Sequence, residues 1–317
     1  MVDLNIKLPE SFFQEEERDG YLVSANTKEL WAVQLDLLNE FDRVCKKYNL
    51  KYILDWGTLL GAIRHNGFIP WDDDVDVSML REDYDKLMEI GPSEFKHPYF
   101  LQNHYTDENY SDCVTKLRRS DTTTILSVDV SFRYKLAYNK GIFIDIFVFD
   151  NLPYVDNVTV EATTRIKNDF ANRWRVVART PIFEFSLRYP ARLLRYVYYR
   201  CKYGDNKKAY WDHEKWAKRY PNPSDYIAMS MVPGKLTSRP RIWNDKVIIH
   251  QFENLMLPVS AMYDDVLHAL YGDYMVPVRG SSEHSLLYYD TDKAYTEVVS
   301  NKELMTKLWK EILMNSK

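Results

Sequence analysis

Three features that define particular classes of protein are missing from this 317-residue sequence. No run of 18 apolar residues occurs, so no helix is expected to span a membrane. The three cysteines are widely spaced, which matches neither a zinc motif nor a disulfide framework. The first residues lack the basic start and apolar run of a signal peptide. These absences predict a protein of the reducing cytoplasm.

An excess of basic charge is also missing. The sequence has 42 Lys or Arg against 46 Asp or Glu, a net charge of −4, which argues against nucleic acid as a partner. Aromatic residues are abundant at 15%, including 24 Tyr. This content is typical of surfaces that are half apolar and half wet, such as ligand clefts and membrane interfaces, although a Tyr-rich core would explain it as well.

Local patterns divide the chain into three regions. Residues 1–26 are predicted to be an irregular lead-in, residues 27–151 a compact core, and residues 152–317 a helical and loop region packed on that core. Basic charge is concentrated at 161–208, with 12 Lys or Arg against 4 Asp or Glu. We expect this basic segment to be helical, with one break near Pro181 and another near Pro190.

The core is predicted to alternate helices with short strands. An apolar stripe at three- and four-residue spacing predicts a helix over 27–48. A short strand at 51–56, a turn at Gly57 and a short helix at 58–64, closed near Gly67, should follow. Further strand candidates are residues 99–105, 113–119 and 141–149.

The strongest chemical signal is the acidic run Asp72-Asp73-Asp74-Val75-Asp76. From Asp74 to Met79 polar and apolar residues alternate, which predicts a strand buried on one face. Asp74 and Asp76 would then project together and repel each other unless a cation lies between them. Carboxylate oxygens suit Mg²⁺ or Mn²⁺, and Asp72 is a further candidate ligand. A solvated acidic turn or a structural Ca²⁺ loop is the alternative.

Two neighbouring features favour a phosphate-binding metal site. Just upstream, Gly57 and Thr58 open a short helix whose backbone N–H groups would form a phosphate cradle. Downstream, Asp145 lies in the middle of the apolar segment 141–149. A charge there is costly unless it is paired or bound to metal, so a third metal ligand and a salt bridge to an arginine are both open.

Residues 57–76 resemble the signature of the LicD family, which includes bacterial phosphocholine transferases and the fukutin-related proteins. Residues 141–147 resemble the family's second signature, and 271–274 followed by His284 give a weaker third match. The second signature usually continues with Pro-Leu-Asp, whereas this chain has Val148-Phe149-Asp150. The resemblance implies a nucleotidyltransferase-like fold and transfer of a phosphorylated alcohol from a CDP-linked donor to a sugar hydroxyl, with release of CMP.

We therefore predict an α+β protein with a small mixed sheet flanked by helices and a largely helical C-terminal region. Its activity would be metal-dependent transfer, with phosphocholine as the first candidate group. The acceptor would be a cell-surface glycan (teichoic acid, capsule or lipopolysaccharide) or its lipid-linked precursor. Asp74, Asp76 and Asp145 would be the catalytic and metal-binding residues, with Mg²⁺ or Mn²⁺. The alternative is a glycosyltransferase that binds a nucleotide sugar through an Asp-x-Asp pair.

Further residues are candidates for substrate contacts. Arg64 follows the short helix, and Lys116 and Arg118 alternate along a strand candidate, so each could meet a phosphate or simply face solvent. Trp71, with Trp56, could offer a ring face to a quaternary ammonium, although both could be core residues. His284 is a candidate through the resemblance.

A peripheral membrane contact is a further expectation. From about residue 181 to 203, Arg residues recur among Leu, Val and Tyr, a pattern typical of helices that lie in the headgroup region. The chain would then work at the inner face of the plasma membrane. The alternative is an ordinary helix that packs its Leu and Tyr onto the core.

Overall fold

The protein is described by a computed structural model that covers residues 1–110, 112–130, 134–135, 137–183, 185–232, 237–279 and 286–315. The helices in these ranges are α1 (Ala25–Tyr48), α2 (Trp56–His65), α3 (Arg81–Glu94), α4 (Asn157–Ala178), α5 (Tyr189–Tyr203), α6 (Asn206–Ala217), α7 (Ile242–Asp245), α8 (Tyr263–Tyr271), α9 (Tyr295–Ser300) and α10 (Lys302–Asn315). None of these helices is long and apolar enough to cross a membrane.

The strands lie between these helices, singly or in groups, and β5 to β9 follow one another without an intervening α-helix. They are β1 (Glu16–Arg18), β2 (Tyr21–Val23), β3 (Ile53–Leu54), β4 (Asp76–Leu80), β5 (Tyr99–Gln102), β6 (Thr115–Arg119), β7 (Thr123–Leu126), β8 (Tyr134–Lys135), β9 (Ile142–Leu152), β10 (Thr180–Pro181), β11 (Tyr226–Ala228), β12 (Ser238–Pro240), β13 (Val247–Phe252), β14 (Leu255–Ser260) and β15 (Leu286–Asp290). The predicted α+β class is confirmed.

Strand β9 is the centre of the main sheet. In the described chain this sheet has the order β12-β11-β9-β4-β3, with β6 and then β5 attached to β9. The β4–β9 pair is parallel, whereas β6 and β11 run antiparallel to β9. Because β9 has 11 residues, it can hold β6 along its first half and β11 along its last three residues. Strands from three distant parts of the chain therefore pair with this one strand.

The two faces of β9 pack against different groups of residues. Ile144, Ile146 and Val148 belong to the large core that α1 covers, whereas Phe149 packs with Leu80 and Ile227 in a smaller cluster. Successive side chains of a strand point to opposite faces, so Asp145 shares the face of the smaller cluster. The apolar composition of residues 141–149 is explained by the burial of both faces of β9.

Strand β4 differs from the prediction in two ways. It begins at Asp76, so Asp74 lies in the preceding loop, and all of its residues are buried, whereas the sequence predicted one solvated face. Ser78 is fully buried because Arg239 and Asn244 from the C-terminal region donate hydrogen bonds to its hydroxyl. The polar half of the alternation therefore marks buried polar contacts and not contact with water.

The helices of the basic segment are interrupted over residues 179–188 and again at 204–205, and only the first interruption lies near a predicted break. Helix α4 ends at Ala178, near the predicted break, but Pro190 lies in the first turn of α5, where a missing N–H costs nothing. No residue of α5 is fully buried, although Tyr199 packs against the edge of the core. The alternative of a helix that buries its Leu and Tyr is wrong for most of its length.

The C-terminal region also contributes to the sheet. Strands β11 and β12 extend it beyond β9, which itself crosses the division placed at residue 151. The departure at Val148 has a structural reason here. Val148 pairs with Met79 in the β4–β9 ladder, and a proline would lack the N–H that such a strand uses.

Candidate active site

The acidic loop between α2 and β4 is held in place by helix α1. Trp31 donates its indole N–H to the carbonyl of Asp72 at 3.0 Å, and Gln34 donates its amide to the carbonyl of Asp73 at 2.7 Å. The Trp31 ring also stacks on Phe68, with centroids 4.5 Å apart. Both hydrogen bonds use backbone carbonyls, so they fix the loop without neutralising its carboxylates.

Three carboxylates of this loop converge. Ligand oxygens of Asp72, Asp73 and Asp74 all lie within 4.8 Å of one another, and the three residues are half-buried. The sequence pattern predicted Asp74 as a metal ligand and Asp72 as a further candidate ligand, but it predicted no role for Asp73. Such a group of hard oxygen atoms matches the donor set that Mg²⁺ and Mn²⁺ prefer.

Asp76 and Asp145 are direct neighbours across the parallel pair of strands. They are partners in the β4–β9 register, and the Asp145 N–H donates to the carbonyl of Val75 at 2.8 Å. Both side chains are buried. Register partners point to the same face of a sheet, so the two carboxylates project together.

The electrostatics of Asp76 are those of a crowded, buried acid. Burial first, and then the charges of neighbouring carboxylates, raise the pKa of its side chain well above the ordinary value. The contributing neighbours are, in descending order, Asp74, Asp145, Asp72 and Asp55. One oxygen of Asp76, Oδ1, is buried with no hydrogen-bond partner among the described residues. The Asp72 side chain has its pKa raised in the same way, by burial and then by Asp74 and Asp73.

Lys116 extends this row onto a third strand. It pairs with Asp145 in the β6–β9 register, and its ammonium donates to Asp145 Oδ1 and lies 3.9 Å from the Phe143 ring centroid. Lys116 is 3% exposed, so the alternative of a solvated strand face is wrong. A salt bridge to Asp145 is present, and its partner among the described residues is Lys116 of the neighbouring strand.

Arg118 lies on the same face of β6 and is also buried. Its guanidinium donates to the Gly141 carbonyl at 2.6 Å and to Gln102 Oε1. These contacts fasten the start of β9 to β5 and β6. The structure therefore gives Arg118 a supporting position.

The start of α2 is built around a buried ion pair. Asp55 caps the helix by accepting the N–H of Trp56 at 3.0 Å, and it is fully buried. Arg239 donates to both of its carboxylate oxygens, at 3.0 and 2.5 Å. One turn into the helix, the Thr58 hydroxyl accepts the N–H of Asp76 at 2.8 Å. Thr58, predicted to bind substrate, thus positions the first residue of β4.

The short helix itself differs slightly from the prediction. It begins at Trp56 and includes Gly57, which was expected to form the preceding turn. It ends at His65, and its C-cap Asn66 has a left-handed φ of 52° and so takes the place expected for Gly67. Asp55 was missed, although an aspartate directly before a short helix is a common N-cap. Nothing local in the sequence identifies Arg239 as its partner.

An open cleft of about 410 Å³ adjoins the acidic loop. Its lining includes Trp71 and Asp72 from the loop, Arg64 from α2, and Tyr271 and Asp273 from the end of α8. Arg64 donates to the carbonyl of Tyr274 at 2.7 Å, which ties α2 to this segment. Burial, and after it the charge of Asp55 and then those of Asp76, Asp72 and Asp74, raise the pKa of the Tyr271 hydroxyl. Residues 271–274, the weak third match, therefore form one wall of this cleft.

Trp56, a predicted contact, is not among the described residues that line this cleft. Trp56 packs against Phe147, with ring centroids 6.3 Å apart, beside the smaller hydrophobic cluster. His284 lies outside the described residues.

Gly57 provides a test of the acidic loop's position. A Cβ on this residue would lie 2.8 Å from Asp72 Oδ2, closer than side chains tolerate, so Gly57→Ala must displace the Asp72 carboxylate. Alanine is the better helix former by up to ~1 kcal/mol, so we expect stability to be kept or raised. If Asp72 acts with the other acids, Mn²⁺ affinity should fall by about 10-fold or more, on the order of a lost metal-site contact.

The measurements are Mn²⁺ titration followed by electron paramagnetic resonance and the midpoint of urea unfolding. A stable variant with unchanged Mn²⁺ affinity would remove Asp72 from the metal site. Loss of stability together with affinity would instead indicate general damage to α2.

The chain is similar to known proteins over much of its length. Residues 49–182 match the family model described as the LicD/FKTN/FKRP nucleotidyltransferase domain. The chain carries a LicD-family nucleotidyltransferase domain. It is also 27% identical, over 258 residues, to the lipopolysaccharide cholinephosphotransferase LicD of Haemophilus influenzae. That alignment covers 78% of this chain and 91% of the relative.

Shorter similarities connect the chain to two rickettsial proteins of uncharacterised activity. Identity is 33% over 120 residues with a protein of Rickettsia prowazekii, covering 37% of this chain and 39% of that one. It is 43% over 68 residues with a protein of Rickettsia typhi, covering 22% of each. The LicD domain contains the acidic loop, Asp145 and Lys116, whereas Arg239 and Tyr271 lie beyond its end at residue 182. The site as a whole is therefore completed by the C-terminal region.

Proposed function

We propose that this chain transfers phosphocholine from CDP-choline to a sugar hydroxyl of a surface glycan or its lipid-linked precursor, and releases CMP. The observation that carries the proposal is the acidic loop of the LicD domain beside an aromatic, partly acidic cleft. The similarity to a lipopolysaccharide cholinephosphotransferase supports the choice of choline and of a lipopolysaccharide-type acceptor.

A divalent cation, Mg²⁺ or Mn²⁺, is part of the proposal. Asp72, Asp74 and Asp76 would hold it, because their oxygens are hard donors and Asp76 Oδ1 is buried without a hydrogen-bond partner among the described residues. When bound, such an ion neutralises the donor diphosphate and the charge that builds up on the leaving phosphate. The mutual repulsion of these carboxylates in its absence is a further argument for a cation.

The cleft suits the head of the proposed donor. A quaternary ammonium is attracted to aromatic ring faces and to carboxylates, and Trp71, Tyr271 and Asp273 line the cleft. Each ring contact is worth ~0.5–2 kcal/mol. Arg64 lines the same cleft and would meet the donor phosphates, since arginine donors match phosphate geometry.

Asp145 would act on the acceptor. In the transfer, the sugar hydroxyl oxygen forms a bond to the phosphorus that carries choline, and the bond from this phosphorus to CMP breaks. The hydroxyl proton would pass to the Asp145 carboxylate as the new bond forms. Lys116, in contact with Asp145 Oδ1, would hold this carboxylate in place beside Asp76.

The nucleotide-sugar alternative finds less support. A glycosyltransferase with an Asp-x-Asp pair is expected to precede that pair with a long alternation of strands and helices. Ahead of the acidic loop, the described chain has one short hairpin, then α1, β3 and α2. These described elements do not form such a nucleotide-binding unit.

Incubation with a panel of donors tests the proposal. With Mg²⁺ and a lipopolysaccharide acceptor, we expect CMP release from CDP-choline and from no nucleotide sugar. Removal of the cation by EDTA should stop the release, and added Mn²⁺ or Mg²⁺ should restore it. CDP-ethanolamine, CDP-ribitol and CDP-glycerol complete the panel, with CMP followed by chromatography.

The outcomes separate the parts of the proposal. Release of CMP from CDP-ribitol or CDP-glycerol, but not from CDP-choline, would contradict the choline assignment while the reaction class stood. Activity that survives EDTA would contradict the metal. Transfer of a sugar from UDP-sugar alone would overturn the proposed function.

A further inference from the structure

Helices α4 and α5 form a cleft of about 250 Å³ that is rich in arginine. Arg175 and Arg179 come from the end of α4, and Arg192 and Arg195 from α5. The other described residues of its lining are Asn172, Val176, Pro181 and Tyr196, so no described lining residue is acidic. Arg175, Arg179 and Arg195 bring like charges to one small space, where they repel each other, and an anion in that space would relieve the repulsion.

The arginines of α4 differ in their partners. Arg165 and Arg173 form ion pairs with Glu161 and Asp169 of the same helix. In contrast, the Nε atoms of Arg175 and Arg179 are buried and have no hydrogen-bond partner within the described ranges. A buried donor without a partner is costly, so these two atoms point to a ligand with acceptor oxygens. Phosphate provides such oxygens, and arginine is the side chain best matched to it.

Large apolar side chains between α4 and α5 and on α5 itself are exposed. Phe185 and Leu187, in the link between the two helices, are 100% and 101% exposed, and Leu194 of α5 is 70% exposed. The ring of Phe183 contacts those of Phe185 and Tyr189, with centroids 5.1 and 5.2 Å apart. A group of exposed apolar residues of this kind marks an interaction surface.

We propose that the α4–α5 cleft, together with the exposed side chains of Phe185, Leu187 and Leu194, forms a docking surface for an anionic phospholipid membrane. A lipid phosphate occupies the arginine cleft, and Phe185, Leu187 and Leu194 enter the interface between headgroups and acyl chains. Charge complementarity selects this occupant, since the cleft is cationic while the chain as a whole carries −4. Aromatic and aliphatic side chains beside basic ones are the composition of interfacial segments.

This surface is independent of the proposed transfer. Binding to vesicles needs neither donor nor cation, so its failure and the failure of the transferase assignment are measured separately. If both hold, the enzyme acts on acceptors that are carried on a membrane.

Flotation of the full chain with vesicles tests the surface. We expect binding to phosphatidylcholine vesicles that contain about one third phosphatidylglycerol, at 50 mM salt, and much weaker binding to phosphatidylcholine alone. Arg192→Gln with Arg195→Gln should weaken binding roughly 10- to 30-fold, from ~1 kcal/mol of attraction per basic side chain. Phe185→Ser with Leu187→Ser should weaken it independently of salt.

The matched control removes the same charge elsewhere. Arg43 and Lys310 are exposed basic residues on other helices, and Arg43→Gln with Lys310→Gln should leave binding within twofold of the unaltered chain. Circular dichroism and the unfolding midpoint confirm that each variant folds. Because α5 has no fully buried residue, the substitutions in α5 should be tolerated.

Three results would overturn the proposal. The first is absence of flotation with anionic vesicles at 50 mM salt. The second is binding that the α5 variant retains in full. The third is calorimetric binding of inorganic phosphate, or self-association abolished by Phe185→Ser with Leu187→Ser, in a chain that binds no vesicle. In that case the occupant is a free phosphate or a second copy of this chain.

Discussion

Replacing Asp74 by Asn is expected to lower kcat by about 10² or more while leaving the fold intact, because it removes electrostatic stabilisation of the transferring phosphate. Asp74 lies in the loop where three carboxylates converge. After burial, its charge makes the largest contribution to the raised pKa of Asp76. Without a bound cation this repulsion opposes folding. Loss of one charge should therefore raise, not lower, the unfolding midpoint of the metal-free protein.

Opposite effects on activity and stability make this test specific. The measurements are CMP release at saturating donor and urea unfolding in EDTA. Asp265→Asn is the matched control, since Asp265 is an exposed carboxylate in the first turn of α8 and should change neither quantity by much. A kcat within threefold of the unaltered enzyme would remove Asp74 from the chemistry.

Replacing Arg239 by Met should cost about 3–5 kcal/mol of unfolding free energy, because it leaves a buried carboxylate without its partner. Asp55 is fully buried, accepts two hydrogen bonds from Arg239 and caps α2. The same guanidinium donates to Ser78 of β4 at 3.1 Å. One side chain of the C-terminal region thus supports both elements that carry the acids.

A second arginine two residues later serves as the control. Arg241 pairs with Glu82, which is half exposed, and Arg241→Met should cost about 1 kcal/mol or less, as for surface pairs. Equilibrium unfolding in urea measures both variants. Asp55→Asn combined with Arg239→Met should recover part of the loss, since no buried charge then remains unpaired. Equal costs for the two single arginine variants would contradict the importance of the buried pair.

The local features of this site could be predicted from the sequence. Helix α1 followed from its apolar stripe, and β9 from its apolar run. The acidic loop was found because four aspartates in five residues, next to a glycine-led helix, are an unusual combination with a direct chemical meaning. The position of Asp145 beside Asp76 is a consequence of the parallel β4–β9 pair. No local pattern of the sequence predicts which strands will be neighbours.

The long-range features could not be predicted. Lys116 and Arg118 carry charge on alternate positions of a strand, a pattern that usually means contact with water. Both are buried because Asp145 and the Gly141 carbonyl lie across from them in the folded sheet. The alternation of polar and apolar residues in β4 likewise predicted a solvated face for Ser78. Its partner Arg239 is 161 residues away, and such a distance leaves no trace in local periodicity.

The central position of β9 sets an order for folding. Arg81 and Asp150, which join the end of β4 to the end of β9, are 69 residues apart, and Asp55 and Arg239 are 184 apart. During synthesis β4 cannot pair with β9 until β9 has been made. The last residues of β9 cannot be paired until β11 has been made. Loops of this length close slowly, and unpaired apolar edges can meet other chains in the meantime. Ribosome-bound chains that end before residue 226 should therefore be the ones that depend on chaperones.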